Sequence, residues 1–257
     1  MEYIIVGFAA VIASGLTLFS GFGLGTLLLP VFAIFFPIEV AIGMTAVVHF
    51  LNNIFKLSIL GKYAKKVVVL RFGLPAVISA FLGAFVLIWF SNLEPLLSYH
   101  LGDSEFVIQP VRLIIGILIL LFAMLELAPG LNKISFDEKY LPLGGILSGF
   151  FGGLSGHQGA LRSLFLLRCG LSKESFIATG VIVACLVDIS RLVIYSSRFA
   201  EVFKGGNISL LVVAVLSAFL GVFVGKRFLK KVTMRGIQLL VSIMLIFIAL
   251  GLSSGAI

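Results

Sequence analysis

Charge is scarce in this chain. Only 12% of its 257 residues are Asp, Glu, Lys or Arg, against 60% in the apolar set. A soluble domain carries roughly 25% charged residues, and a globule of this size could not hide so much apolar surface. That excludes a soluble enzyme, a nucleic-acid-binding module and a disordered chain. Sustained polar–apolar alternation is missing too, which argues against a transmembrane barrel. Cysteine is limited to Cys169 and Cys185, at the edge of and inside apolar runs, so no disulfide framework is expected. The three histidines are scattered and make no convincing metal-ligand set; no cofactor is expected. Met1-Glu2-Tyr3 lacks the basic run of a signal peptide. No polar stretch is long enough for a soluble domain.

What is present is a series of apolar segments, at 3–36, 38–60, 70–90, 107–128, 140–169, 173–196, 207–225 and 236–255. Six have the length of one membrane-crossing helix. The first and fifth are too long: residues 3–36 as one helix would run about 50 Å, against a hydrocarbon core of about 30 Å. Glycine clusters interrupt both. The first holds Gly21-Phe-Gly-Leu-Gly25 and then Pro30; the fifth holds Gly152-Gly-Leu-Ser-Gly156-His157-Gln158-Gly159. Glycine releases the backbone from helical geometry.

The net charge of +8 reads as topology, since basic residues collect on the cytoplasmic side; no nucleic-acid partner is expected. If all eight segments cross once, the loop lysines and arginines divide evenly between the two sides. If segment five enters and returns on one side, thirteen of the 19 fall inside and Arg112, Arg198 and Lys204 fall outside. The remaining three, Lys56, Arg162 and Arg191, lie within segments. The asymmetric arrangement is preferred.

The halves also match one another. A shift of 135 residues carries Ser20-Gly21 onto Ser155-Gly156, Glu39 onto Glu174, Asn53 onto Asp188 and Lys56 onto Arg191. Ser79-Ala-Phe-Leu-Gly-Ala-Phe-Val86 recurs as Ser217-Ala-Phe-Leu-Gly-Val-Phe-Val224. The expected fold is an all-α polytopic membrane protein built as one membrane domain. Residues 1–130 form one repeat and 131–257 its inverted copy, each a broken-helix re-entrant hairpin plus three transmembrane helices. Inverted repeats with broken helices recur in secondary transporters, with substrate near the midplane.

Half-helix N-termini present free N–H groups and a positive dipole end, which suits an anion. Thr45, His49, Asn52, Asn53 and Lys56 fall near one face of segment two, and Asp188, Arg191 and Tyr195 repeat that spacing in segment six. Charge at membrane depth faces a cavity or a partner. The expected binding shell for a small anion is Gly21, Gly23, Gly25, Gly156, His157, Gln158 and Gly159. Arg162 and Arg191 would supply charge, with His49, Asn53 and Lys56 opposite. Asp188 would hold Arg191 or carry a coupling proton. Structural roles stay open: Lys56 snorkelling to the surface, an Asp188–Arg191 pair, hydrogen-bonded interior histidines. Gly153-Leu-Ser155-Gly156 also fits a short intramembrane-protease pattern. His157 is expected to be poorly placed as a base for Ser155.

The glycine breaks and the polar motifs after them resemble the TauE/SafE sulfite exporter family over nearly the whole chain. The resemblance rests on Gly21-Phe-Gly-Leu-Gly25 with Pro30, Ala41-Ile-Gly-Met-Thr45, Gly156-His-Gln-Gly-Ala-Leu-Arg-Ser163, Phe176-Ile-Ala-Thr179 and Asp188-Ile-Ser-Arg191. It departs from the commoner pattern where Leu24 interrupts the first cluster and His157-Gln158 replace small residues in the second. The resemblance implies a multi-pass plasma-membrane transporter of sulfite, sulfonates or related sulfur anions. An anion channel of the same fold and an intramembrane serine hydrolase using Ser155 are the alternatives. The expected partners are the anionic substrate and the lipid bilayer, with a homodimer left open.

Overall fold

The computed structural model describes residues 1–20, 23–102, 104–127, 135–196, 207–228 and 234–256. The first long segment divides into α1 (Glu2–Ser20) and α2 (Leu24–Phe35). Phe36, extended ahead of Pro37, ends α2 and leads directly into α3 (Ile38–Leu60). A 3-10 turn at Gly61–Tyr63 precedes α4 (Lys66–Ser91), and α5 spans Pro110–Leu127. The second half contains α6 (Leu141–Ser155), α7 (Gly159–Leu166), α8 (Lys173–Tyr195), α9 (Asn207–Phe228) and α10 (Met234–Ser254). Ser172 starts α8 by accepting a hydrogen bond from the Ser175 amide at 3.2 Å. Among the described residues, four helices are long and apolar enough to cross a membrane: α3, α4, α8 and α9. Shorter described apolar stretches belong to α1, α2, α5 and α10.

Two sequence expectations are corrected. Segment four begins at Pro110, not at residue 107, because β1 (Leu97–Leu101) and β2 (Ser104–Ile108) form an antiparallel hairpin before it. Tyr99 stacks on Phe106 at 5.2 Å across the hairpin, and the apolar end of β2, Val107-Ile108, is what the apolar count absorbed into the helix. The second break is also shorter than the glycine cluster suggests. Helix α6 continues through Gly152 and Gly153 to Ser155, and Gly156 closes it in the left-handed conformation at φ +82°.

Those helical glycines serve packing. In lipid, apolar side chains gain little by associating, and small residues let helices approach closely. A Cβ on Gly145, Gly149 or Gly153 of α6 would strike the backbone carbonyls of Phe72, Ala76 and Ala80 of α4, and one on Gly83 would strike Phe150. The same device joins α1 to α9, where a Cβ on Gly15 would stand 3.0 Å from the Gly221 carbonyl and one on Gly221 would strike Val11. Both pairs run parallel in register. The central pair, α3 and α8, is antiparallel: His49 meets Asp188, while the Lys65 amide donates to Thr179 Oγ1 at 3.0 Å. Helices α5 and α10 form a further pair, and α4 packs on α8 as α9 packs on α3.

The chain leaves α7 beside the point where it starts α6. The Phe136 amide donates to the Leu164 carbonyl at 3.2 Å, and Phe136 stacks on Phe165 at 4.5 Å. Arg168 pairs with Asp137 at 3.0 Å. Helices α6 and α7 are therefore a hairpin. The outer faces are apolar: Leu70, Leu74, Ile78, Leu82 and Phe85 lie exposed along α4, and Ile208, Val212, Leu216, Leu220 and Phe223 along α9. Such stripes suit acyl chains rather than water.

Gly149→Leu is expected to separate α4 from α6 and lower stability by about 1–3 kcal/mol or more. Thermal unfolding in detergent checks it. Gly61→Ala, whose added carbon meets only Leu57 at 3.8 Å, should leave the unfolding temperature nearly unchanged.

Candidate functional site

Helix α3 carries a polar face through the interior, with Thr45, His49, Asn52, Asn53 and Lys56 each at most 4% exposed. Opposite, Asp188 lies on α8, wholly buried. Five donor contacts converge on its carboxylate. Oδ1 receives Arg191 Nη2 at 2.7 Å, Arg191 Nε at 3.0 Å and Gln158 Nε2 at 3.4 Å. Oδ2 meets His49 Nδ1 at 2.6 Å and Asn53 Nδ2 at 3.4 Å. One buried carboxylate thus ties α3, α8 and the second break together. Its charge is offset by Arg191, three residues on, within one helical turn.

Gly156 lets the break approach that pair: a Cβ there would stand 2.8 Å from Arg191 Nη1. The first break lies alongside, since a Cβ on Gly25 would stand 3.6 Å from the Gly156 carbonyl. The two interruptions therefore meet.

Next to this knot is a cleft with about 430 Å³ of non-atom space, a figure that includes the solvent at its mouth. Thr17, Gly23, Leu24, His49, Asn53 and Lys56 form its first wall; the second runs from Arg162 to Val181 and includes Phe176 and Gly180. The N-terminus of α2, capped by Gly23 with no side-chain partner, faces this space. Lys56 is 4% exposed and Arg162 7%. Lys56 donates to Thr17 Oγ1 at 3.4 Å, and Arg162 to Gln158 Oε1 at 3.3 Å. Neither forms an ion pair among the described residues. Arg162 is accommodated by Gly180, where a Cβ would stand 3.2 Å from its Nε.

The structure sorts the sequence-derived residues into groups. Gly23, His49, Asn53, Lys56 and Arg162 border the cleft. Asp188, Arg191, Gln158 and Gly156 form the knot behind it, with Gly25 beside Gly156 and Gly159 opening α7. Gly21 lies outside the described residues. His157 turns from the cleft and stacks on Phe122, with centroids 5.6 Å apart and planes within 3°. Sequence reasoning missed Thr17, Phe176 and Gly180. Thr17 stands where a helical turn back from the first break could have flagged it; Phe176 opens the Phe176-Ile-Ala-Thr179 motif but, like Gly180, carries no chemical group that marks it as a site residue.

Ser155 and His157 touch one another at the second break. His157 Nδ1 does reach Ser155 Oγ, at 3.2 Å, because the break folds back over the end of α6. The arrangement is nonetheless unsuited to nucleophilic catalysis. The Ser155 hydroxyl donates to the Phe151 carbonyl at 3.1 Å, and Nδ1 also meets the Ser155 carbonyl at 3.1 Å. A nitrogen donating to a carbonyl cannot accept the hydroxyl proton.

The sequence model of the sulfite exporter TauE/SafE family matches residues 3–252. Comparison with curated proteins and with solved structures gives no match.

Asp188→Asn would leave Arg191 buried without its counter-ion, an expected loss of about 3–5 kcal/mol. Asp137→Asn, breaking the surface pair whose side chains are more than half exposed, should cost at most about 1 kcal/mol. Paired melting curves distinguish the two effects.

Proposed function

The chain belongs to the sulfite exporter TauE/SafE family, and from that premise we propose that the cleft binds a small sulfur-containing anion, sulfite or a sulfonate, and passes it across the plasma membrane by alternating access. Membership of a family of membrane transporters supports reading the chain as a multi-pass transporter rather than an enzyme. One observation carries the assignment to this cleft: two buried cations, Lys56 and Arg162, face one space and pair with no carboxylate among the described residues. Asp188 is already engaged by Arg191. Uncompensated charge is expensive at membrane depth, and an anion between these residues removes that cost. Arg162 offers planar paired donors, Lys56 a point charge, and α2 the positive end of its dipole.

The cleft walls come from the two halves of the chain, residues 17–56 and 162–181. Exchanging α1 with α6, α2 with α7, α3 with α8, α4 with α9 and α5 with α10 maps the main helix pairs onto one another. This reciprocity supports two inverted units, 1–130 and 131–257, rocking about the bound anion. Lys56 lies towards the basic turn at 61–66, which favours access from the cytoplasmic side.

In proteoliposomes, Arg162→Ala and Lys56→Ala should each cut saturable sulfite counterflow about 10- to 100-fold, the value of a charged hydrogen bond, while Ser155→Ala retains it. Normal counterflow in Arg162→Ala removes the assignment, and flux that never saturates indicates a channel. For topology, cysteines replacing Lys139 and Arg168 should react with an impermeant maleimide only from the cytoplasm, and one replacing Ser98 only from outside. Opposite-side labelling of the first two would contradict a re-entrant α6–α7 hairpin.

A further inference from the structure

We propose that His49 carries a proton that travels with the anion, an inference that rests on the cleft being the anion site. Asp188 and His49 are both buried titratable groups, but the geometry gives them different tasks. The five donor contacts occupy both oxygens of Asp188, leaving no vacant face for a proton. Its 2.6 Å contact with Nδ1 makes that nitrogen the N–H donor and fixes the ring plane. The carboxylate is the positioning group; the imidazole is what remains free to change charge.

The other ring nitrogen, Nε2, is directed at the cleft. A Cβ on Gly23 would stand 3.6 Å from it, and both residues border the empty space. The Asn53 amide nitrogen lies 3.2 Å from Nδ1 and 3.4 Å from Nε2, nearly equidistant from the two, so it does not claim the Nε2 lone pair; with Nδ1–H given to Asp188, Nε2 is the nitrogen of a neutral ring that is left to take a proton. The charges acting on it are Asp188 and Arg191 on α8 and Lys56 on its own helix. Arg162 on α7 shares the cleft, and the Cys185 thiol lies further along α8. Helices α1 and α2 bring no charge to it: their described charged residue is Glu2, exposed at the far end.

With the cleft empty, an imidazolium at position 49 would be a third cation beside Lys56 and Arg162. With an anion bound, the same proton is attracted instead of repelled. Anion and proton therefore stabilise one another, and each raises the affinity of the other by the same factor. The step is simple to balance. A proton from the water phase adds to the Nε2 lone pair, the neutral ring becomes an imidazolium, and the Nδ1–H contact to Asp188 persists. On the opposite side the proton returns to water as the anion leaves. One proton per monovalent anion makes the cycle electroneutral.

Methanesulfonate is a suitable probe, because it is the anion of a strong acid and does not itself titrate. Wild-type protein in unbuffered detergent should take up about one proton per methanesulfonate bound, recorded with an indicator dye. The imidazole nitrogen spectrum should show Nε2 of His49 changing from acceptor to protonated. With three histidines in the chain, His100→Gln and His157→Gln assign that signal by elimination even where His49→Gln fails to fold. Affinity should fall about tenfold per pH unit on the alkaline side, and a one-unit gradient across proteoliposomes should concentrate the anion about tenfold. Binding without proton uptake, or uptake assigned to His100 or His157, overturns the proposal while leaving the cleft as the anion site. Failure of the wild type to bind methanesulfonate, or undiminished binding by Arg162→Ala, overturns the cleft assignment and this proposal with it.

Discussion

The carboxylate of Asp188 holds the centre of this protein together. A charge without solvent must be met by donors, and here they arrive from three directions: His49 and Asn53 on α3, Arg191 on its own helix, and Gln158 from the second break. Four consequences hang on that convergence. The α3–α8 crossing is pinned at its middle. The break is held next to the knot. Arg191 has its counter-ion within one turn of its own helix. The imidazole of His49 is oriented with one nitrogen inward and the other facing the cleft.

The arrangement is possible only because the neighbouring helices approach so closely. Glycines 145, 149 and 153 on α6, and 15, 221 and 225 at the α1–α9 contact, bring backbones to distances that a methyl group would forbid. Each broken helix is thereby fixed along its long arm to a continuous partner. Its glycine-rich end projects towards the interior, where irregular backbone is tolerated because it is enclosed by protein or lines a cavity.

Much of this was legible in the sequence. Two segments too long for one crossing, each with a glycine cluster, located the breaks. The i, i+3, i+4, i+7 spacing from His49 to Lys56 located the polar face of α3, and Arg162 stood out as a charge in a segment with nowhere to snorkel. What the sequence could not separate was the order of depth. Asp188, Arg191 and Arg162 look alike as membrane-embedded charges, yet a single helical turn decides which pair with each other and which border empty space. Nor could composition identify Phe176 or Gly180 as cleft residues, since phenylalanine and glycine are abundant throughout. The β-hairpin escaped notice because its second strand ends in Phe106-Val-Ile108 and only Gln109 separates that apolar run from α5.

That hairpin has a mechanical meaning. The Tyr99 hydroxyl donates to the Ser254 carbonyl at 2.7 Å, and a Cβ on Gly255 would stand 2.6 Å from the Val107 carbonyl, so the strands clasp the last turn of α10. Since β2 runs straight into α5, the ends of α5 and α10 are riveted at one rim. The cleft lies elsewhere, between α1–α3 and α7–α8. A structure stapled along one edge, away from its cleft, is held like a bound book: the spine keeps its pages in register.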